Sequence, residues 1–390
     1  MPAQPAPFVN FETAPVHPID LSPDGHTLAV CNLPDYRIEL FDVSSGIPHP
    51  IGDLPVGVDP VSVRWRTTNE LWVVNYISSS VNVVDVARRL IIATLQTKSG
   101  PADLVFAGTP ARAYVSCARD NVVQVFDIVS HVLVTNLAVK GDRPKAMAVS
   151  PDGSRVYVAI FESGNASTIL APKLTPLDVR PGPSVVANHE GPHHGQDPPP
   201  NRGTNFYPAI GPYLDTNTLP RGSLIVKKNE AGHWMDDNAG DWTEFVSGSK
   251  AAESGRVPGW DMPDRDLGVI DTSTRAITYA TGLMNLCMAL AVNPASGRVA
   301  VVGTDGKNEV RFEPNLRGVF LRVNLALVEP ASLAKTIRDL NPHLDYDSAS
   351  IRTEERAKSL GDPRGIVWNS TGTRAYVTGM GSHNLVILDA

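Results

Sequence analysis

Along most of this chain apolar and polar residues alternate one for one, in runs of about six residues separated by turns. Successive side chains of a strand point to opposite faces, so the pattern predicts β-strands rather than helices. The runs recur about every forty residues, and four of them open on proline: Pro18–Leu21, Pro60–Trp65, Pro101–Phe106 and Pro144–Val149. Each is followed by a turn, clearest at Asp24-Gly25 and Asp152-Gly153. A second run then follows: Thr27–Asn32, Glu70–Asn75, Arg112–Cys117 and Arg155–Ile160. A third ends on an acidic turn at Asp42, Asp85 and Asp127, and Leu133–Val139 has the character of a fourth. Each unit therefore reads as four antiparallel strands joined by tight turns.

Two further copies carry different loops. Met288–Pro294 with Arg298–Gly303 forms a fifth; Pro363–Asn369 with Arg374–Gly379 and Leu385–Ala390 forms a sixth. A lone four-stranded sheet leaves an apolar face uncovered, whereas sheets stacked radially cover one another. The sequence thus predicts an all-β fold: a β-propeller of four-stranded antiparallel blades, six visible, as part of a seven- or eight-bladed ring. Blades are expected near 15–57, 58–98, 99–141, 142–283, 284–361 and 362–390, the last incomplete, behind a tail of 1–14. Phe8–Phe11 of the tail can supply a missing outer strand, but continuation past Ala390 is the preferred expectation. An insertion over 162–265 interrupts the fourth blade, and a long connection, Asn341–Gly361, precedes the sixth. Both are expected as irregular segments on one face, with the loops that precede first strands.

Composition narrows the partners. The 390 residues carry 34 Lys and Arg against 41 Asp and Glu, a formal charge of −7, which argues against a nucleic-acid surface. No run of eighteen apolar residues occurs, so no membrane span is expected. Met1–Ala14 is Pro-rich and lacks the basic start and apolar centre of a signal peptide. Cys31, Cys117 and Cys287 are widely spaced and odd in number, which favours buried thiols over a disulfide framework.

In its clearest form the second strand, Arg374-Ala-Tyr-Val-Thr-Gly379, resembles the repeat of the YVTN family of bacterial β-propellers. The resemblance covers much of 15–165 and 266–390 and implies the propeller fold. That superfold hosts lactonases, quinoprotein dehydrogenases, and adhesion or scaffold domains. Outside the repeats, Gly222–Lys228, Trp234–Trp242, Gly303–Phe312 and Leu340–Tyr346 are similar to segments of large exported bacterial proteins. In those, a YVTN propeller precedes a region resembling di-haem cytochrome c peroxidases. The similarity implies a periplasmic or extracellular protein and a protein partner or downstream haem domain. This chain has no CxxCH, so covalent haem is not expected on it.

Candidate site residues fall into three groups. His17, Asp59, Arg143, Asp362 and Arg364 stand just ahead of first strands or open them, where a propeller's channel has its mouth. Their mixed charges suit a small anionic ligand or mutual ion pairs. His343 and Asp345 lie two apart, on one side of an extended chain, and with His383 make a candidate acid–base or metal pair. In the insertion, His193 and His194 offer imidazoles in no fixed ligand template. Asp236, Asp237 and Asp241, between Trp234 and Trp242, offer the oxygen ligands that Ca²⁺ takes, without EF-hand spacing; turn-capping is the simpler expectation. Asp261, Asp264 and Asp266 carry the same ambiguity.

GxSxG, HExxH, P-loop and strand-bound GxGxxG motifs are absent. The expected function is a non-catalytic binding or scaffold propeller within a larger exported cytochrome-like protein. The alternative is a propeller enzyme, a lactonase or quinoprotein dehydrogenase-like protein, whose catalytic groups converge on the channel from several blades.

Overall fold

A computed structural model describes residues 14–170, 189–194, 224–253, 261–308, 321–346 and 350–389. The Phe8–Phe11 strand expected from the sequence lies outside them. Blade 1 comprises β1 (Ile19–Leu21), β2 (Thr27–Asn32), β3 (Arg37–Asp42) and β4 (His49–Pro55); blade 2, β5 (Pro60–Trp65), β6 (Glu70–Asn75), β7 (Ser80–Asp85) and β8 (Leu90–Gln96). Blade 3 comprises β9 (Pro101–Ala107), β10 (Arg112–Cys117), β11 (Val122–Asp127) and β12 (Leu133–Ala138). Blade 4 starts with β13 (Asp142–Val149) and β14 (Arg155–Glu162). The insertion contributes β15 (Ser167–Leu170), β16 (Leu224–Lys228), β17 (Trp234–Met235), the short helix α1 (Thr243–Val246) and β18 (Asp261–Met262). Blade 4 then resumes with β19 (Leu267–Asp271) and β20 (Ile277–Ala280). Blade 5 holds β21 (Leu286–Val292), β22 (Val299–Gly306), β23 (Leu321–Val328) and β24 (Lys335–Asp339). After helix α2 (Thr353–Lys358), blade 6 holds β25 (Pro363–Trp368), β26 (Arg374–Gly379) and β27 (Asn384–Asp389).

Every blade is an antiparallel meander ordered as its strands follow in sequence, apart from the excursion between β14 and β19. Successive first strands pack on one another from β1 through β5, β9, β13 and β21 to β25, as the repeat requires. The protein is an all-β propeller.

The entry to these strands has a recurrent geometry. Asp59, Gly100, Arg143 and Asp362, each followed by proline, adopt φ of 63°, 66°, 57° and 50°. Left-handed backbone at a non-glycine residue costs on the order of 1–3 kcal/mol and needs surrounding structure to hold it. Backbone hydrogen bonds provide it: Tyr76 N donates to Asp59 O at 2.9 Å, Ala118 N to Gly100 O at 2.7 Å and Met380 N to Asp362 O at 3.0 Å. A register shift follows in β5, β13 and β25, bending each strand as it enters the ring.

Burial separates blades with two neighbours from blades with one. In blade 2, β5, β6 and β7 are buried on both faces. In blade 6, β27 alternates half-buried and exposed, leaving Leu385 53% and Ile387 55% exposed. Ile19 and Leu21 of blade 1 are similarly exposed. Between these two walls, and running into the channel, lies a cavity of about 600 Å³.

The insertion departs from its expected irregularity. Among its described residues, four short strands pair antiparallel in the order β17-β16-β15-β18. They enclose a separate small core of Leu170, Leu224, Val226, Trp234, Trp242, Phe245 and Val246. The strands are two to five residues long and far apart in sequence, so no alternating run announces them. All three cysteines are free and buried. No helix among the described residues is long and apolar enough to cross a membrane.

Candidate ligand site at the channel mouth

The channel wall is tied together by its own polar groups. Arg64 of β5 donates to both oxygens of Asp103 on β9, at 3.1 and 2.8 Å, and to Met147 O on β13 at 3.1 Å. Asp103, 1% exposed, also accepts from Met147 N and Leu104 N, each at 2.8 Å. Three blades thus share one ion pair, its carboxylate buried and its guanidinium partly exposed. At blade 1, Asp20 accepts from Trp65 N at 2.8 Å, and His17 N donates to Ser62 Oγ at 3.0 Å. His17 thereby joins blade 1 to blade 2; its ring lies 3.9 Å from Asp20.

The other predicted mouth residues divide by their contacts. Asp59 is buried at its corner. Arg143 pairs with Glu162 at 2.9 Å, and Arg364 Nε donates to Asp362 at 2.7 Å. The Arg364 guanidinium also lies 5.3 Å from the centre of the Phe161 ring. On that same ring sits Lys145 of β13, its ammonium 3.7 Å from the centre. Lys145 is 8% exposed and has no carboxylate within ion-pair distance among the described residues. Burial, reinforced by the Arg364 and Arg143 charges, pushes its ammonium down to about 8. Blades 4 and 6 therefore each bring a cation to the Phe161 ring, with Asp362 bonded to Arg364 and the Glu162 carboxylate, paired with Arg143, also acting on Lys145. Sequence reasoning missed Lys145 and Phe161, because each occupies an ordinary alternating position of its strand. The signal available was a lysine at an inner-strand position that neighbouring blades must bury.

His343 Nε2 lies against Glu355 O (3.0 Å) and Ser359 Oγ (3.1 Å), joining it to α2. His383 occupies the β26–β27 turn with φ 53°. In the insertion, Asp236 accepts from Trp242 Nε1 at 2.8 Å, from the backbone of Asn238 and Gly240, and from His193 Nε2 at 2.6 Å. Burial opposes its ionisation, but these bonds hold the carboxyl below its ordinary range. Asp241 accepts from His233 at 2.6 Å, while His194 sits in a turn with φ 53°. No group of three or more His, Cys, Asp or Glu converges as a metal site among the described residues.

Asp266, fully buried where β19 begins, bonds Ser163 and accepts from Leu283 N at 2.6 Å. Burial, then the charge and hydrogen bond of Asp264, push its carboxyl up to about 8. An unfolded Asp266 releases its proton near 3.8, so between these values the folded state holds one proton more. The stability contribution is thus complete at acid pH and is lost as pH rises through that window. Asp266→Asn, which keeps the shape without the charge, is expected to flatten this dependence in thermal melts at pH 5 and pH 8.5. An unchanged difference between the two melts would refute the assignment.

Comparisons with known proteins agree with this architecture. The model of the family described as "Lactonase, 7-bladed beta-propeller" matches residues 10–172, which take in blades 1 to 3 and the first half of blade 4. No curated protein matches. Among solved structures the chain is similar to hydrazine synthase of Kuenenia stuttgartiensis, at TM-score 0.56 and 17% identity. That likeness covers 99% of this chain and 79% of that one, and shows the fold alone. A chain in the crystal structure of the mitotic checkpoint complex matches at 14% identity and TM-score 0.47, over 95% of this chain and 73% of that one.

Proposed function

We propose that this propeller is a binding module that holds the carboxylate of a small ligand at its channel mouth, between Lys145 and Arg364. The observation that carries the reading is a desolvated lysine with no carboxylate at ion-pair distance among the described residues, beside a second cation on the same ring. A buried cation without a partner is costly, and an arriving anion removes that cost. Below pH 8 the folded protein bears the cost of the charged ammonium. Between 8 and the ordinary 10.5 it has released a proton that the unfolded chain retains, so the penalty fades there.

The test is calorimetric titration with succinate. Binding is expected to draw protons from buffer near pH 8 and to weaken above it. Lys145→Met is expected to lower affinity roughly ten- to hundredfold, the loss of one charged hydrogen bond, while raising unliganded stability at pH 7. Equal affinity in the variant would remove the reading.

Lactone hydrolysis is a second reading, favoured by the family match over residues 10–172. Water adds to the ester carbonyl, the ring oxygen leaves, and the hydroxy acid formed carries the carboxylate that this mouth would hold. A panel of lactones incubated with the chain separates binding from turnover. Attachment to a haem-bearing partner in an exported assembly is a further proposal, supported by the segment resemblance of Trp234–Trp242 and Leu340–Tyr346.

A further inference from the structure

On the outside of the ring, between the outer strands of blades 3 and 4, lies a second cavity of about 550 Å³. Leu137 of β12 and Ile277 of β20 form apolar walls, and Lys140, Arg265, Arg275 and Tyr279 supply the polar groups. Backbone bonds fix part of this frame. Lys140 N donates to Tyr279 Oη at 2.7 Å, and Arg265 Nη1 donates to Lys140 O at 2.9 Å. The Arg265 guanidinium lies 5.8 Å from the Tyr279 ring centre. The tyrosine hydroxyl accepts one bond, and its own hydrogen has no acceptor among the described residues.

None of the three cations has a carboxylate at ion-pair distance among the described residues, and the acids nearby in sequence are engaged elsewhere. Asp142 accepts from Asn121 Nδ2 at 3.1 Å, Asp264 from Gly282 N at 2.7 Å and Asp266 from Leu283 N at 2.6 Å. Asp271 caps its own turn through Ser273 and Thr274. In a chain of net charge −7, three uncompensated cations in one cleft run against the overall field.

We propose that this cleft binds a phosphate monoester with a small apolar body. Two guanidinium forks, an ammonium and a phenolic O–H surround the volume with donors, which suits a tetrahedral dianion with several oxygens better than a planar monoanion. Leu137 and Ile277 are placed to cover the organic portion. The site uses none of the channel-mouth residues.

Titration of the full chain with phenyl phosphate, followed by calorimetry, tests the assignment against inorganic phosphate. Phenyl phosphate is expected to saturate one site and to bind more tightly than inorganic phosphate. Arg275 is exposed and its side chain makes no hydrogen bond among the described residues. Arg275→Glu should therefore melt like the wild type, yet bind phenyl phosphate at least about tenfold more weakly. Lys145→Met should leave phenyl phosphate binding intact. Absence of saturable binding, or wild-type affinity in Arg275→Glu, would overturn the proposal. Equal affinity for the two phosphates would overturn the ester assignment, and loss of binding in Lys145→Met would move the ligand to the channel mouth.

Discussion

Asp103→Ala is expected to destabilise the propeller by about 3–5 kcal/mol, the range for breaking a buried ion pair from one side. The substitution would strand the Arg64 guanidinium in the channel wall and free Met147 N and Leu104 N, so blades 2, 3 and 4 lose one shared tie. Desolvation sets the magnitude, because the partly buried guanidinium would keep Met147 O as its one protein acceptor among the described residues and lose its counter-charge. For the same reason the paired replacement Arg64→Met with Asp103→Leu should recover most of the loss, since an apolar pair has no charge to strand. Urea denaturation of the three variants measures both effects. A loss below about 1 kcal/mol in Asp103→Ala would place the pair in water rather than in the wall.

The second large effect is confined to the insertion. Trp242 is fully buried, edge-on to Phe245 at 5.4 Å, and its indole N–H holds Asp236. Trp242→Ala removes one of the two tryptophans of a seven-residue core and a donor to a buried carboxylate. A buried Trp→Ala costs about 3–5 kcal/mol, and a core this small cannot absorb it. Because that core is separate from the blades, unfolding should be local. Hydrogen exchange is expected to show lost protection over β16 and α1 with the blades unchanged. Lost protection in β13 and β14 as well would mean that insertion and propeller fold as one unit.

What the sequence discloses follows from where the physics is local. Proline, a bulge and period-two alternation act within a few residues, so Pro60, Pro101, Pro144 and Pro363 mark inner strands that the structure places side by side. Blade 6 keeps the same alternation as blade 2, yet only contact with a second neighbour turns such a strand fully buried; that difference is tertiary. The site was less legible. Arg364 and Asp362 stood out as charges ahead of a first strand, and the structure gives them to each other. Lys145 reads as one more polar position in an alternating run, and its desolvation arises from strands distant in sequence. In sequence Asp236 is one of several acids beside a tryptophan, and which donors claim it depends on a turn from Asp236 to Gly240 and on His193 folding back. The insertion's sheet is not legible in the sequence because strands such as Trp234–Met235 are too short to show a period.

The two cations at the mouth are best tested through their coupling. Succinate affinity can be measured by calorimetry at pH 7 for the wild type, Lys145→Met, Arg364→Gln and the double variant. If both side chains grip one carboxylate, each single variant binds more weakly, and the two losses differ from additivity by about 0.5–3 kcal/mol. Losses that simply add, or wild-type affinity in either single variant, would contradict a shared anion beside the Phe161 ring.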